Sequence, residues 1–301
     1  MAADPAEQRT PGEIRMTKHH GAGNDFLVLL DPAGSFEVST EQVRWMCDRH
    51  RGIGADGFIR VRTGRMVPLG MELWNADGSA AEMSGNGIRC MVQAAVDGGM
   101  ATEGEVGVET GAGTKSVIYA KRGPLSGEAI VDMGPVVSGD ELAARSPLWP
   151  SDHSGMTLPE ESAFVAARFV DAGNPHLVVI LEHRPDGEVM LNQGAALQMV
   201  MAGGINVEFV WPGPADGELS LFVFERGAGP TLACGTGSCA AALVARDLGM
   251  AGDVVPVHNP GGCLSVSFLG TSVNLSGPTL RIAEVLLDAK AFEIWALAVD
   301  P

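Results

Sequence analysis

Three separated segments of this chain recur at one fixed distance, and that recurrence limits the fold more than any composition does. Ser84-Gly85-Asn86-Gly87 returns as Cys234-Gly235-Thr236-Gly237. Gly23-Asn24-Asp25-Phe26-Leu27-Val28 returns as Gly173-Asn174-Pro175-His176-Leu177-Val178, and Asp97-Gly98-Gly99-Met100 as Asp247-Leu248-Gly249-Met250. The separation is 150 residues each time. Chance similarity does not hold one register over three segments, so the chain reads as a duplicated domain with two related halves. The register lasts to about residue 100. Later, Gly134-Pro135 meets Gly277-Pro278 at a separation of 143, so the first half is locally longer by seven residues.

The most chemically pointed stretch is the loop from Glu225 into Cys234, followed by Gly235-Thr236-Gly237 and a small-residue run ending at Arg246. Ala and Leu favour a helix, and small side chains let it be buried. Cys234 then sits at the helix mouth, where the N–H groups of Gly235, Thr236 and Gly237 lack intrahelical partners. Such a mouth binds carboxylates and favours a thiolate. Taken alone, Cys234 reads either as an acid/base thiol or as a buried structural cysteine. The duplication places Ser84 at the corresponding mouth of the other half, with Gly85 and Asn86 behind it.

The length of 301 residues agrees with two domains. Residues 1–15 are polar and aperiodic and are expected to be a disordered extension. The first half is expected over 16–137, a Pro-, Ser- and acid-rich connection over 138–163, the second half over 164–287, and a tail over 288–301 with a short helix. Expected strands lie at 58–62, 71–74, 105–109, 115–120 and 128–133, then 164–170, 176–181, 206–211, 219–224, 253–258, 263–268 and 279–286. Helices are expected from Ser39 or Thr40, over about 87–97, near 193–201 and after Cys234.

A net charge of −17 argues against nucleic-acid or anionic-membrane partners. No apolar run is long enough to span a membrane, and the start has no signal-peptide core, so cytoplasm is the expected location. Cys47, Cys90, Cys234, Cys239 and Cys263 show no zinc-site spacing and are expected as free thiols. No metal site is expected, and no lysine stands in a pyridoxal-type context.

Two acid/base groups, each beside carboxylate-binding amides, suit one reaction. One takes the proton from a carbon next to a carboxylate and the other returns a proton from the opposite face, with no cofactor. The motifs carry a family resemblance. His20-Gly21-Ala22-Gly23-Asn24-Asp25-Phe26, Asn75-Ala76-Asp77-Gly78, Gly85-Asn86-Gly87-Ile88-Arg89-Cys90, Gly173-Asn174-Pro175-His176, Asn206, Glu225-Arg226-Gly227 and Ala233-Cys234-Gly235-Thr236-Gly237 together resemble diaminopimelate epimerase over about 16–286. The resemblance implies an α/β (α+β) fold of two pseudo-symmetric domains, each a mostly antiparallel sheet wrapped around a central helix, with the site in the cleft between them. It implies a cofactor-independent interconversion of LL- and meso-diaminopimelate, a small diamino diacid. By position, Cys234 and Ser84 are the catalytic pair. Gly85, Asn86, Gly235 and Thr236 bind the reacting carboxylate. Asn24, Asn75, Asn174, Asn206, Glu225 and Arg226 bind the rest, and His176 and Glu225 support the site electrostatically. A homodimer is compatible with the resemblance.

Ser84 is the departure, because the family has a second catalytic cysteine there. A serine hydroxyl is a far weaker acid than a thiol. Three readings stand: an epimerase in which Ser84 works, an inactive or trapped form that binds without turnover, or a racemase or eliminating enzyme for another amino acid.

Overall fold

The computed structural model describes residues 13–145, 149, 164–288, 290–292, 294 and 295. Residues 1–12 of the expected extension, most of the expected connection (146–148 and 150–163), and 289, 293 and 296–301 of the tail lie outside the described residues.

The first half runs β1 (Glu13–Gly21), β2 (Asn24–Leu30), α1 (Thr40–Cys47), β3 (Gly57–Thr63), β4 (Leu69–Asn75), β5 (Ala80–Ala81), α2 (Gly85–Asp97), β6 (Gly104–Thr110), β7 (Gly113–Lys121) and β8 (Ser126–Gly134). The second runs β9 (Val137–Ser138), α3 (Gly139–Arg145), β10 (Phe164–Asp171), β11 (Pro175–Leu181), α4 (Gly187–Leu197), β12 (Asn206–Pro212), β13 (Leu219–Glu225), β14 (Gly229–Thr231), α5 (Gly235–Asp247), β15 (Val254–Asn259), β16 (Gly262–Leu269) and β17 (Ser272–Asp288).

Two compact units result. Among the described residues, one takes 13–21, Asp25–Ala129 and those from Pro278 onward; the other takes Ala22–Asn24 and those within Ile130–Gly277. This division differs from the boundaries expected at 137 and 287, because β17 runs on past Gly277 and its last stretch pairs antiparallel with β1 along Glu13–His20. Residues 13–15, expected as part of a disordered extension, are therefore strand.

The pairing pattern repeats between the units. In the first, β2–β3 is parallel, β3–β4 and β4–β5 antiparallel, β4–β6 parallel and β6–β7 antiparallel. In the second, β11–β12 is parallel, β12–β13 and β13–β14 antiparallel, β13–β15 parallel and β15–β16 antiparallel. Phe26 pairs with Gly57, and His176 with Asn206. Between β2 and β11 the match is 150 residues, but between β3 and β12 it is 149: the stretch before β12 is one residue shorter than that before β3. The following hairpin restores the register.

Each sheet wraps one helix. In the first unit α2 packs against β1, β3 and β7; in the second α5 packs against β10–β13, β15 and β16. Both helices bury nearly all their faces, which is why their runs read Ile-Arg-Cys-Met-Val-Gln-Ala-Ala and Ser-Cys-Ala-Ala-Ala-Leu-Val-Ala rather than as one apolar stripe. The first core gathers Met16, Leu27, Leu29, Val43, Met46 and Phe58, the second Phe169, Leu177, Val179, Met190, Leu197 and Phe209. Fully burying one such side chain is worth about 1.5–3 kcal/mol. The helix expected near 193–201 begins earlier, at Gly187, where the Asp186 carboxylate caps by accepting from Glu188 N–H. In the tail, 290–292 and 294–295 are helical, and Phe292 and Trp295 stack beside Trp45. No helix among the described residues is long and apolar enough to cross a membrane.

Candidate active site

Ser84 and Cys234 are the N-caps of their two helices. Ser84 has φ −138°, ψ 123°, and its Oγ accepts from Gly87 N–H at 3.1 Å. Cys234 has φ −122°, ψ 119°, and its Sγ accepts from Gly237 N–H at 3.3 Å. The same backbone and the same bond thus recur at both copies of the motif. Serine is a preferred N-cap, whereas cysteine is not among the residues that capping selects. Helix stability therefore explains Ser84 but leaves the sulfur at 234 unexplained. The cap consumes the third amide of each helix, and the first two N–H groups of α5, on Gly235 and Thr236, point out of its first turn.

The Cys234 thiol departs from the expectation that its helix would favour thiolate. Burial pushes its pKa well above the ordinary value, and the Glu225 and Glu208 carboxylates push the same way. The Thr236 hydroxyl, 3.4 Å from Sγ, and the Gly237 N–H act in the opposite sense and are outweighed. The helix dipole is worth about 1 kcal/mol in exposed settings, too little to overcome burial beside two carboxylates. The resting sulfur is a protonated thiol. Cys90 is fully buried in α2, and burial pushes its thiol up to about 11. All five cysteines are free.

The remaining candidates divide by what their side chains already hold. Gly23 and Gly173 both adopt positive φ, 84° and 90°, a turn that delivers Asn24 and Asn174 at the starts of β2 and β11. Asn174 Oδ1 lies 2.9 Å from His176 Nε2. His176 is fully buried, and its Nδ1 lies 2.7 Å from Glu208 Oε1. Asn206, expected as a substrate contact, also has a structural partner on each side of its amide. Its Nδ2 donates to Pro175 O at 3.0 Å and its Oδ1 accepts from Arg226 N–H at 2.9 Å, so in this structure the amide braces the loop that carries Arg226. The Arg226 guanidinium itself is exposed. Glu225 ends β13; its carboxylate accepts from the Thr231 hydroxyl and its carbonyl from Gln198 Nε2. In the first unit, Asn75 is exposed and its Nδ2 donates to Ser79 Oγ at 3.0 Å. Arg89 is fully buried and donates to Gly85 O at 2.9 Å and to Asn86 Oδ1 at 2.8 Å, which holds the start of α2.

One residue escaped the sequence reading. Glu208 lies on β12, fully buried, directly under the first turn of α5: a Cβ on Gly237 would stand 2.6 Å from its Oε1. The corresponding place under α2 is filled by Ile59 and Phe26, whose Cδ1 and Cζ would stand 3.1 and 3.3 Å from a Cβ on Gly87. The available signal was a lone charge in the otherwise apolar run Val207-Glu208-Phe209-Val210-Trp211.

Comparison with known proteins follows the same lines. The family model described as diaminopimelate epimerase matches residues 16–138 and 168–274. A diaminopimelate epimerase of Variovorax paradoxus is 34% identical over 289 residues, covering 90% of this chain and 96% of that one. One from Azoarcus is 36% identical over 280 residues, at 90% and 97% coverage, and one from Methanothrix thermoacetophila is 34% identical over 275 residues, at 90% and 94%. Among solved structures, a PhzF-family phenazine biosynthesis protein of Bacillus anthracis superposes with TM-score 0.64 at 14% identity, covering 91% of this chain and 99% of that one. A hydroxyproline epimerase from Agrobacterium vitis superposes with TM-score 0.64 at 16% identity, covering 93% and 94%. At these identities the two superpositions speak for the fold alone.

Proposed function

Because the chain belongs to the diaminopimelate epimerase family, it is an isomerase, and we propose that it interconverts LL- and meso-diaminopimelate with Cys234 and Ser84 as the two proton-transfer groups. The observation that carries this reading is the shared N-cap: the two residues occupy one backbone position in two copies of one motif.

The chemistry needs four things. The reacting carboxylate requires donors that strengthen as the α-carbanion forms, and the N–H groups of Gly85, Asn86, Gly235 and Thr236 are of that kind. The far carboxylate suits the exposed Arg226 fork, bidentate if both oxygens engage. The far ammonium suits the Glu225 carboxylate, with Asn24, Asn75 and Asn174 as further donors and acceptors and Asn206 holding the Arg226 loop. Finally, a proton must leave one face and arrive on the other. A substrate ammonium near Glu225 offsets part of the negative field that keeps Cys234 protonated, so binding eases loss of the thiol proton to water and formation of the thiolate. That thiolate takes the α-proton, and Ser84 returns one to the opposite face as its hydroxyl, recovering its own proton from water. His176 and Glu225 set the field around the sulfur. No cofactor enters these steps.

Ser84 slows both directions alike, because the forward and reverse paths share one transition state. It also separates exchange from inversion. The isomer whose α-proton faces Cys234 can trade it for solvent deuterium at that sulfur without inverting. The test is incubation of the unaltered protein, and of Ser84→Cys, with each isomer in deuterium oxide. We expect inversion with label in both proteins, faster in Ser84→Cys, and exchange with retention for one isomer only in the unaltered protein. Absence of exchange in both proteins overturns the assignment of substrate. A second reading is favoured by the capping bond of Ser84 Oγ, since a serine there serves the helix by itself. On that reading the chain binds diaminopimelate and only Ser84→Cys turns it over.

A further inference from the structure

Under the Cys234 helix lies a polar chain that the other half of the molecule does without. Glu208 Oε1 is 2.7 Å from His176 Nδ1, and His176 Nε2 is 2.9 Å from Asn174 Oδ1. Glu208 and His176 are both fully buried, and Glu208 Oε2 has no hydrogen-bond partner among the described residues. At the matching positions of the first unit stand Ile59 and Phe26, which pack under α2 with the same N-cap above them. The fold therefore builds this helix mouth equally well on an apolar floor. A buried carboxylate with one oxygen unsatisfied carries a desolvation cost that the apolar floor avoids.

The arrangement has a directional consequence. A carboxylate only accepts, so it draws the Nδ1 proton of His176 toward itself. Asn174 Oδ1 stands against the far nitrogen, which leaves the amide hydrogens on Asn174 Nδ2 facing away from the ring. The same carboxylate also stands against the Gly237 turn that caps the sulfur, and its field opposes ionisation of Cys234.

We propose that Glu208 is a positioning residue of the epimerase site: through His176 it fixes the Asn174 amide with Nδ2 toward the substrate, and it places a negative charge beneath Cys234. The role rests on the function proposed above for its substrate, but not for its effect on the sulfur. Glu208→Gln keeps the shape and removes the charge. The paired change His176→Phe with Glu208→Ile copies the floor of the other half and guards against a variant that fails to fold.

The test runs on the full chain, with folding checked by thermal melting. The first readout is the rate of iodoacetamide alkylation at Cys234, followed by peptide mass spectrometry with exposed Cys263 as internal reference. We expect Cys234 to react at least threefold faster in Glu208→Gln while Cys263 is unchanged, an effect that loss of packing alone does not confine to one thiol. The second readout is diaminopimelate turnover in the Ser84→Cys background. We expect KM to rise about tenfold in Glu208→Gln, and kcat/KM to fall further in the paired variant. Equal Cys234 alkylation in folded Glu208→Gln overturns the charge role. Unchanged KM in both variants overturns the Asn174 role. If Ser84→Cys shows no turnover at all, the substrate assignment has failed, and the alkylation arm still decides the charge role.

Discussion

His19 makes the unfolding of this protein sensitive to mild acid. Its ring is fully buried on β1. Nε2 lies 2.9 Å from Thr17 Oγ1, and Nδ1 lies 3.2 Å from Gln93 Oε1. The same Gln93 oxygen accepts from Thr279 Oγ1 at 2.7 Å, and Gln93 Nε2 donates to Leu125 O at 2.7 Å. Gln93 can therefore meet His19 only as an acceptor, Nδ1 carries the proton, and Nε2 accepts from Thr17. A second ring proton would have to turn the Thr17 hydroxyl into an acceptor and would place a charge in a fully buried site. Burial lowers the folded-state pKa to about 4, from 6.5. Between those values the unfolded chain binds the proton that the folded chain refuses, so stability rises with pH. The contribution is complete above the unfolded pKa and is lost as pH falls through the folded one. The full span is about 3 kcal/mol, and the part lost between pH 7 and pH 5 about 2 kcal/mol. His19→Asn keeps a donor toward Gln93 and cannot titrate. Urea unfolding followed by tryptophan fluorescence at pH 7, 6 and 5 should give a steep loss for the unaltered chain and a slope shallower by about 2 kcal/mol for His19→Asn. Parallel slopes would show that His19 is charged in the folded state and that the network has been misread.

Two further substitutions probe the sites directly. Gly237→Ala sets a Cβ 2.6 Å from the trapped Glu208 carboxylate, whereas Gly87→Ala meets the Ile59 methyl at 3.1 Å. The first should cost about 1–3 kcal/mol from overpacking, and the second should come close to neutral, since Ala gains up to about 1 kcal/mol over Gly in a helix; equal urea midpoints for the two variants contradict the packing described. Arg226→Lys keeps the backbone N–H that Asn206 holds and removes the fork, so KM for diaminopimelate should rise about tenfold or more with an unchanged melting temperature, and an unchanged KM removes Arg226 from the site.

Much of this was legible in the residues because duplication writes the same structure twice. Ser84 and Cys234 were found as equivalents by register alone, and their matching caps bear the equivalence out. Strand limits at 206–211 and 219–224 fell within a residue of β12 and β13, since alternating apolar runs ended by Pro-Gly or Arg-Gly leave little freedom. Glu208 is hidden in the residues because the stretch before β12 is shortened by one, so a single register of 150 does not bring position 208 opposite Ile59. The protonated state of Cys234 was hidden for another reason. Helix mouths are visible in sequence, but the burial of the sulfur and the approach of Glu208 from β12 and Glu225 from the end of β13 leave no local pattern. The same holds for β1 and the end of β17, whose pairing joins residues from near opposite ends and gives no local sign.

That last pairing reverses the usual order in which a chain becomes structured. The second unit is nearly one continuous segment, Ile130–Gly277, whereas the first needs β17 beyond Pro278 to cover β1. Translation at about 5–20 residues per second leaves the N-terminal half waiting roughly ten to thirty seconds for its closing strand. Through that interval β1 lacks its β17 partner and offers that edge to any other chain. The half that leaves the ribosome first is the half completed last.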